Sequence, residues 1–322
     1  MSAAQDFFWP INLKRLDGKL VVFGWMRPDP IPCRVNTQVE VQRARQRPIK
    51  RSLIALKDTI AEPVPDQDLR FIFHASRCGS TLVSQILDQA PDSLSYSEHG
   101  FISKALLMDM DDGNMDFPIL RACLDLLRPS PQFRNKKVVI RFSSWTSLLI
   151  KPIIERFTGV DWCFIYRDPL EIMVSHRISP AGWSNNPHAV TKHAAHLVDD
   201  QEDPVRFAAE VVNAFFTQAI AAPADRRCLV DYKNLKVDVM GRLFPHFGLE
   251  LTDEVRVAIA QIMQFDAKRP EVGHFQQDTE FKQTNATQIE RAVAVSGGVA
   301  QSYASLSAIV NSERGRNGNR VY

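Results

Sequence analysis

The stretch LRFIFHASRCGSTLVSQIL, residues 69–87, constrains this chain more than any other. An apolar run of strand length enters a short polar turn holding one glycine, and an apolar-periodic helix follows at once. Such a turn is suited to an anion. Gly79 lets the backbone approach a ligand closely, and the free N–H groups at a helix start beginning at Ser80 and Thr81 point outward with the favourable end of the helix dipole. Arg77 adds a full positive charge beside Cys78, and the hydroxyls of Ser80 and Thr81 add donors. The plainer alternative is a strand–turn–helix in which Ser76 or Ser80 caps the helix. The nucleoside-triphosphatase pattern GxxxxGK[ST] is not what stands here.

The rest of the chain repeats this grammar. Strands are expected at residues 69–74, 137–142, 161–166 and 227–230, separated by helices at 81–89, 119–127, 146–157, 170–177 and 204–220. A further helix is expected at 253–263. This reads as a three-layer α/β domain over residues 67–310, preceded by an N-terminal extension of residues 1–66 with one strand-like run at 19–25, and followed by a flexible polar tail at 311–322. The extension carries a basic stretch, Arg43, Arg45, Arg47, Lys50 and Arg51, read as a solvated helix face or loop, against the alternative of an acceptor-docking or anion-binding patch. Cys33, Cys78, Cys123, Cys163 and Cys228 are odd in number and scattered, which argues against a disulfide framework or zinc site. A net charge of +2 over 322 residues is too small for a general nucleic-acid binder. No apolar run approaches a bilayer span and the first residues lack a signal-peptide pattern, so a cytoplasmic location with no membrane partner is expected.

A second motif follows in VDWCFIYRDPLEIMVSH. A strand ends in Arg167-Asp168-Pro169 and opens a helix, with Ser175 eight residues beyond the arginine. A cationic fork at a strand's C-terminal end and a hydroxyl two turns along can hold a second phosphate. The bland reading is an arginine–aspartate pair with proline in the first helical turn. The SRCGST loop resembles the 5′-phosphosulfate loop of the sulfotransferase superfamily, in the tyrosylprotein and bacterial branches where arginine stands for lysine. The Arg-Asp-Pro segment resembles the same family's 3′-phosphate motif, and RCLVDYKNL is similar to its strand ending in Tyr-Glu-Asp-Leu, with Lys233 and Asn234 in place of the acids.

The resemblance, covering about residues 69–285, implies a P-loop-type α/β domain with a central parallel sheet flanked by helices. It implies 3′-phosphoadenosine 5′-phosphosulfate (PAPS) as co-substrate, 3′-phosphoadenosine 5′-phosphate (PAP) as product, and no metal requirement. Arg77, Cys78, Gly79, Ser80 and Thr81 would hold the 5′ end, with Arg167 and Ser175 on the 3′-phosphate. Lys282, in a polar loop within HFQQDTEFKQTNAT, looks like a nucleotide-covering lysine, against the alternative of a surface lysine. The histidine of the cytosolic enzymes is missing from VVIRFSSW; Ser97-Glu98-His99-Gly100 instead matches the tyrosylprotein branch's base segment, 21 residues after Arg77. Glu98 is therefore expected to be the general base, its pKa raised by burial, with His99 the rival. Arg141 would stabilise charge on the bridging oxygen, with Ser143 and Ser144 as spare candidates. His188, His193 and His196 are read as structural or acceptor-side residues. A small molecule, glycan or peptide with a hydroxyl or amine is expected as acceptor, its identity unspecified by these residues, and a homodimer stays open. Two alternatives remain: an ATP-dependent phosphotransferase, and a non-catalytic module that binds PAP or another nucleotide.

Overall fold

The apolar run Leu69–His74 forms a strand buried at every position, because both faces of the sheet it enters are covered. The computed structural model describes residues 9–16, 18–26, 49–55, 63–127, 133–185, 197, 203–264 and 278–318. In chain order the strands are β1 Trp9–Leu16, β2 Lys19–Met26, β3 Ile49–Ala55, β4 Leu69–His74, β5 Ser93–Ser97, β6 Lys137–Arg141, β7 Asp161–Tyr166 and β8 Arg227–Asp231. The longer helices are α1 Ser80–Leu87, α2 Gly100–Asp111, α3 Pro118–Asp125, α4 Ile150–Arg156, α5 Pro169–Ile178, α6 Pro204–Ala221, α7 Asp253–Ile262, α8 Thr279–Asn285, α9 Gln288–Val295 and α10 Gly297–Gly318.

Five strands form one parallel sheet in the order β5-β6-β4-β7-β8. Its side chains alternate between two cores. Phe71, Phe73, Val138, Ile140, Trp162, Phe164, Tyr166 and Leu229 face one, whereas Ile72, Val139, Cys163, Ile165, Cys228 and Val230 face the other. The first core is aromatic: Phe73 stacks on Phe142 at 5.0 Å, and Phe71 meets Phe157 edge-on at 5.5 Å. It takes in α3, α4 and α6, while α1 and α7 pack on the second, giving the expected three layers.

The four expected strands and the helices between them are present within a few residues. Additional elements occur where the apolar signal is thin. β5 reads Ser-Leu-Ser-Tyr-Ser, an edge strand whose two large side chains sit on alternate positions, and it carries Glu98 at its end. The N-terminal extension holds an antiparallel sheet, β1-β2-β3, rather than a single run. Leu13 of β1 is fully buried in the aromatic core, and Arg15 pairs with Asp112 just past α2. The side chains of the basic stretch at 43–51 lie outside the described residues, as does Cys33.

The tail begins within a helix instead of as loose chain. α10 runs to Gly318, and Glu313 and Arg314 pair with Arg242 and Asp238. The reason is a buried carboxylate: Asp238 is 2% exposed and takes two arginines as counter-charge. Among the described residues no single helix is long and apolar enough to cross a membrane.

Strand order places the site. After β4 the chain leaves toward β5 on one side, and after β7 it leaves toward β8 on the other. Where neighbouring connections diverge, a crevice opens at the carboxyl ends of the strands. The loops lining this one are 75–79, after β4, and 167–168, after β7: the two motifs read from the sequence.

Candidate functional site

The loop after β4 is tightly turned. Ser76, Arg77 and Gly79 all have positive φ, at 67°, 48° and 81°. For the two that carry a Cβ this costs on the order of 1 kcal/mol or more each, so neighbours must hold them. The Ala75 N–H donates to the Ile165 carbonyl at 3.0 Å, the Cys78 thiol to the same carbonyl at 3.1 Å, and the Ser76 N–H to His74 Nδ1 at 3.3 Å. The residue capping α1 is Gly79, with no side-chain cap, so neither Ser76 nor Ser80 plays that part. A Cβ on Gly79 would meet the Tyr232 ring and Leu235 at 3.0 Å, so the glycine answers both to its φ and to close packing. Ser80 is buried in the first turn of α1 and Thr81 is half-buried beside it.

Two of the loop's expected ligand groups are used otherwise. The Cys78 thiol is fully buried, and burial pushes its pKa up to about 11; it packs the loop onto β7. Arg77 reaches away to the chain after α5, donating to Ser179 Oγ at 3.0 Å and the Pro180 carbonyl at 2.8 Å. The cation beside the start of α1 is Arg141 instead. Its guanidinium is 2% exposed and donates to Ser80 Oγ at 3.2 Å, to Glu98 Oε1 at 2.5 Å and, at the limit of 3.5 Å, to Ser97 Oγ. Register explains the meeting. Arg141 lies opposite Ile72 of β4 and Ser97 of β5, and the Glu98 N–H bonds the Arg141 carbonyl at 2.7 Å.

Glu98, itself at a positive φ of 46°, sits between Arg141 and His74, whose Nε2 is 3.6 Å from Glu98 Oε1. Burial works to raise its pKa, but the Arg141 charge and hydrogen bond, with His74 close by, outweigh it and hold the carboxyl well below the usual carboxylate range. The expected raised pKa is thus corrected: sequence reading counted the burial and missed the cation. His74 is buried, which lowers its pKa and keeps it neutral. With Nδ1 accepting from Ser76, the proton resides on Nε2, which donates to the Phe142 carbonyl at 3.1 Å. His99 does not join this group. It caps α2 by accepting from the Phe101 N–H, packs against Tyr96 and Phe101, and burial lowers its pKa to about 4.

The second cluster forms after β7. Arg167 is 3% exposed, donates to Glu171 at 2.5 Å and to Asp278 at 2.5 Å, and lies 3.8 Å above the Tyr232 ring. Lys282 is not in a loop. It sits on α8, 6% exposed, and pairs with Asp278 at 2.7 Å. Arg167 and Lys282 are therefore brought together, with Asp278 bridging them. Ser175 is buried and donates to the Glu171 carbonyl of its own helix at 2.7 Å. Asp168 caps α5, accepting from the Leu170 N–H at 2.9 Å and the Glu171 N–H at 3.3 Å.

Tyr232 joins the two clusters. One edge of its ring closes on Gly79 and its face carries Arg167. Sequence reading gave it no role, although its place just after β8 was a signal. Glu171 and Asp278 were missed too, each four residues from a residue that was named. Ser143 Oγ lies 3.3 Å from Ser103 Oγ, and Ser144 accepts from the Trp183 indole at 3.1 Å. His188, His193 and His196 lie outside the described residues.

No family model matches the chain, and no curated protein matches it. Solved structures do. The sulfotransferase domain from the curacin biosynthetic pathway is 14% identical at a TM-score of 0.44, covering 76% of this chain and 99% of that one. The sulfotransferase domain of the Synechococcus PCC 7002 olefin synthase is 15% identical at 0.43, covering 77% and 95%. A sulfotransferase from Mycobacterium avium is 13% identical at 0.42, covering 70% and 71%. Retinol dehydratase in complex with retinol and PAP is 12% identical at 0.38, covering 77% and 87%.

Proposed function

We propose that this protein transfers a sulfuryl group from PAPS to a hydroxyl or amine acceptor and releases PAP. The observation that supports this most is the pair of buried sets of basic side chains, Arg141 at the start of α1 and Arg167 with Lys282 of α8, with Tyr232 touching both the Gly79 turn and Arg167. A nucleotide charged at both ends suits such a site. The phosphosulfate end would lie at the N–H groups of Ser80 and Thr81 beside Arg141, and the 3′-phosphate on Arg167 and Lys282.

Arg141 and Glu98 then work as a pair. In the free protein each neutralises the other. When the sulfuryl group draws the Arg141 guanidinium, Glu98 loses the counter-charge that depresses its pKa and becomes a better proton acceptor for the acceptor's hydroxyl. The base and the charge-stabilising group are readied by the same binding event, with no divalent metal in the scheme. Arg77 braces the loop from outside through Ser179 and Pro180.

PAP should raise the melting temperature of the full chain in the presence of EDTA, by an amount equivalent to about 2.7 kcal/mol at 100 times its dissociation constant. Sulfuryl transfer from labelled PAPS to a panel of phenols, sugars, alcohols and amines should follow. A shift with ATP and Mg²⁺ but none with PAP would point to phosphoryl transfer and end this reading. PAP binding with no transfer to any acceptor would leave a binding module.

A further inference from the structure

The cluster around Arg167 contains an anion of its own. Asp278 places one carboxylate oxygen 2.5 Å from Arg167 Nη2 and the other 2.7 Å from Lys282 Nζ, with the Tyr232 hydroxyl 3.4 Å away. The two cations are nearly sealed, at 4% and 8% side-chain exposure, whereas the Asp278 side chain is 43% exposed. Glu171 differs: its side chain is 6% exposed, and it also accepts from Thr279 Oγ1 at 3.2 Å. Glu171 is the fixed counter-ion, and Asp278 covers the open side.

We propose that Asp278 stands in for a substrate phosphate and sets the charge a nucleotide must carry to enter this subsite. This rests on the function proposed above and goes beyond it. With Asp278 in place the two cations are cancelled by two carboxylates, and the subsite has no net charge to offer. Without it one positive charge is uncovered. A phosphomonoester, carrying close to two negative charges and three acceptor oxygens, can displace a single carboxylate from both cations at once. A ribose hydroxyl cannot, so a nucleotide lacking that phosphate leaves Asp278 where it is. The exchange is cheap for the backbone. Asp278 precedes α8 but its side chain makes no capping bond, and the Lys282 N–H is held by the Asp278 carbonyl at 3.0 Å, so the carboxylate can turn away with the helix intact. The carboxylate also has a function in the free protein, since burial and the neighbouring Arg167 both disfavour a charged Lys282.

The test is isothermal titration of the full chain and its variants with PAP and with AMP, which lacks the 3′-phosphate. Asp278→Asn keeps the shape and removes the charge. It should bind PAP on the order of 10-fold more tightly than the parent while AMP affinity stays within about 2-fold, because only PAP competes with the carboxylate. Asp278→Glu restores the charge and should return PAP affinity toward the parental value. Lys282→Ala should weaken PAP and spare AMP. Melting curves without ligand establish that each variant is folded, with Asp278→Asn expected to melt lower. Unchanged or weaker PAP binding by folded Asp278→Asn, when the parent binds PAP, overturns the proposal and leaves the function standing. A parent that binds no PAP overturns both.

Discussion

At the scale of single residues, the chemistry at the end of β6 turns on a charge that has nowhere else to go. The Arg141 guanidinium is 2% exposed, so its environment must supply an anion and acceptor oxygens, and Glu98 with Ser80 and Ser97 does so. Replacing Glu98 with glutamine preserves the shape but leaves the guanidinium without its counter-charge. Because the Glu98 side chain is a quarter exposed, water recovers part of the loss, and destabilisation of about 1–3 kcal/mol is expected by urea denaturation at neutral pH. Turnover should fall by roughly 10²-fold or more with PAP affinity largely kept, if the proton passes through this carboxylate.

At the scale of elements, the turn between β4 and α1 is the part of the site that local sequence prepares and tertiary contacts finish. Gly79→Ala should be poorly tolerated for two separate reasons. The added Cβ strains a φ of 81°, and it enters space held by the Tyr232 ring and Leu235. A cost of about 1–3 kcal/mol in stability is expected. Since Tyr232 also carries Arg167, displacing its ring should weaken PAP at both ends, so the loss in calorimetric affinity should exceed that of an alanine placed within α1. A parental affinity in a folded Gly79→Ala protein would show that the loop and the Arg167 cluster act independently.

Over the whole molecule, the buried ionisable groups set an acid limit to stability. His99 has a folded pKa of about 4 against an ordinary value near 6.5, so between these pH values the unfolded chain binds the proton and the native one does not. Stability therefore falls as pH drops through that window, by about 3 kcal/mol if the full difference is realised. Glu98 adds in the same direction lower down. Its folded pKa is depressed, so its contribution is present above the usual carboxylate range and is lost as pH falls below it. Urea midpoints at pH 7, 5.5 and 4.5 should decline in the parent, and His99→Gln should flatten the upper part of that decline.

The layered α/β architecture was legible because strands buried on both faces are mostly apolar, with polar residues near their ends, and helices crossing between them must be apolar on one side. Leu69–His74, Asp161–Tyr166 and Pro204–Ala221 announce themselves in that way. So does the turn at Gly79, where one residue without a Cβ separates a strand from a helix. β5 and the two edge strands, β1 and β3, that flank the strand read at residues 19–25 were not legible, since an edge strand needs only one apolar side and its polar positions look like loop. The partners of the charged residues were decided by tertiary structure alone. Nothing local says that Arg141 meets Glu98 across two strands, that Arg77 turns away to Ser179, or that Asp278 reaches Arg167 from 111 residues further along. A charge interacts with whatever the fold brings within a few ångströms, so sequence determines which residues carry charge, and strand order and register determine what those charges do.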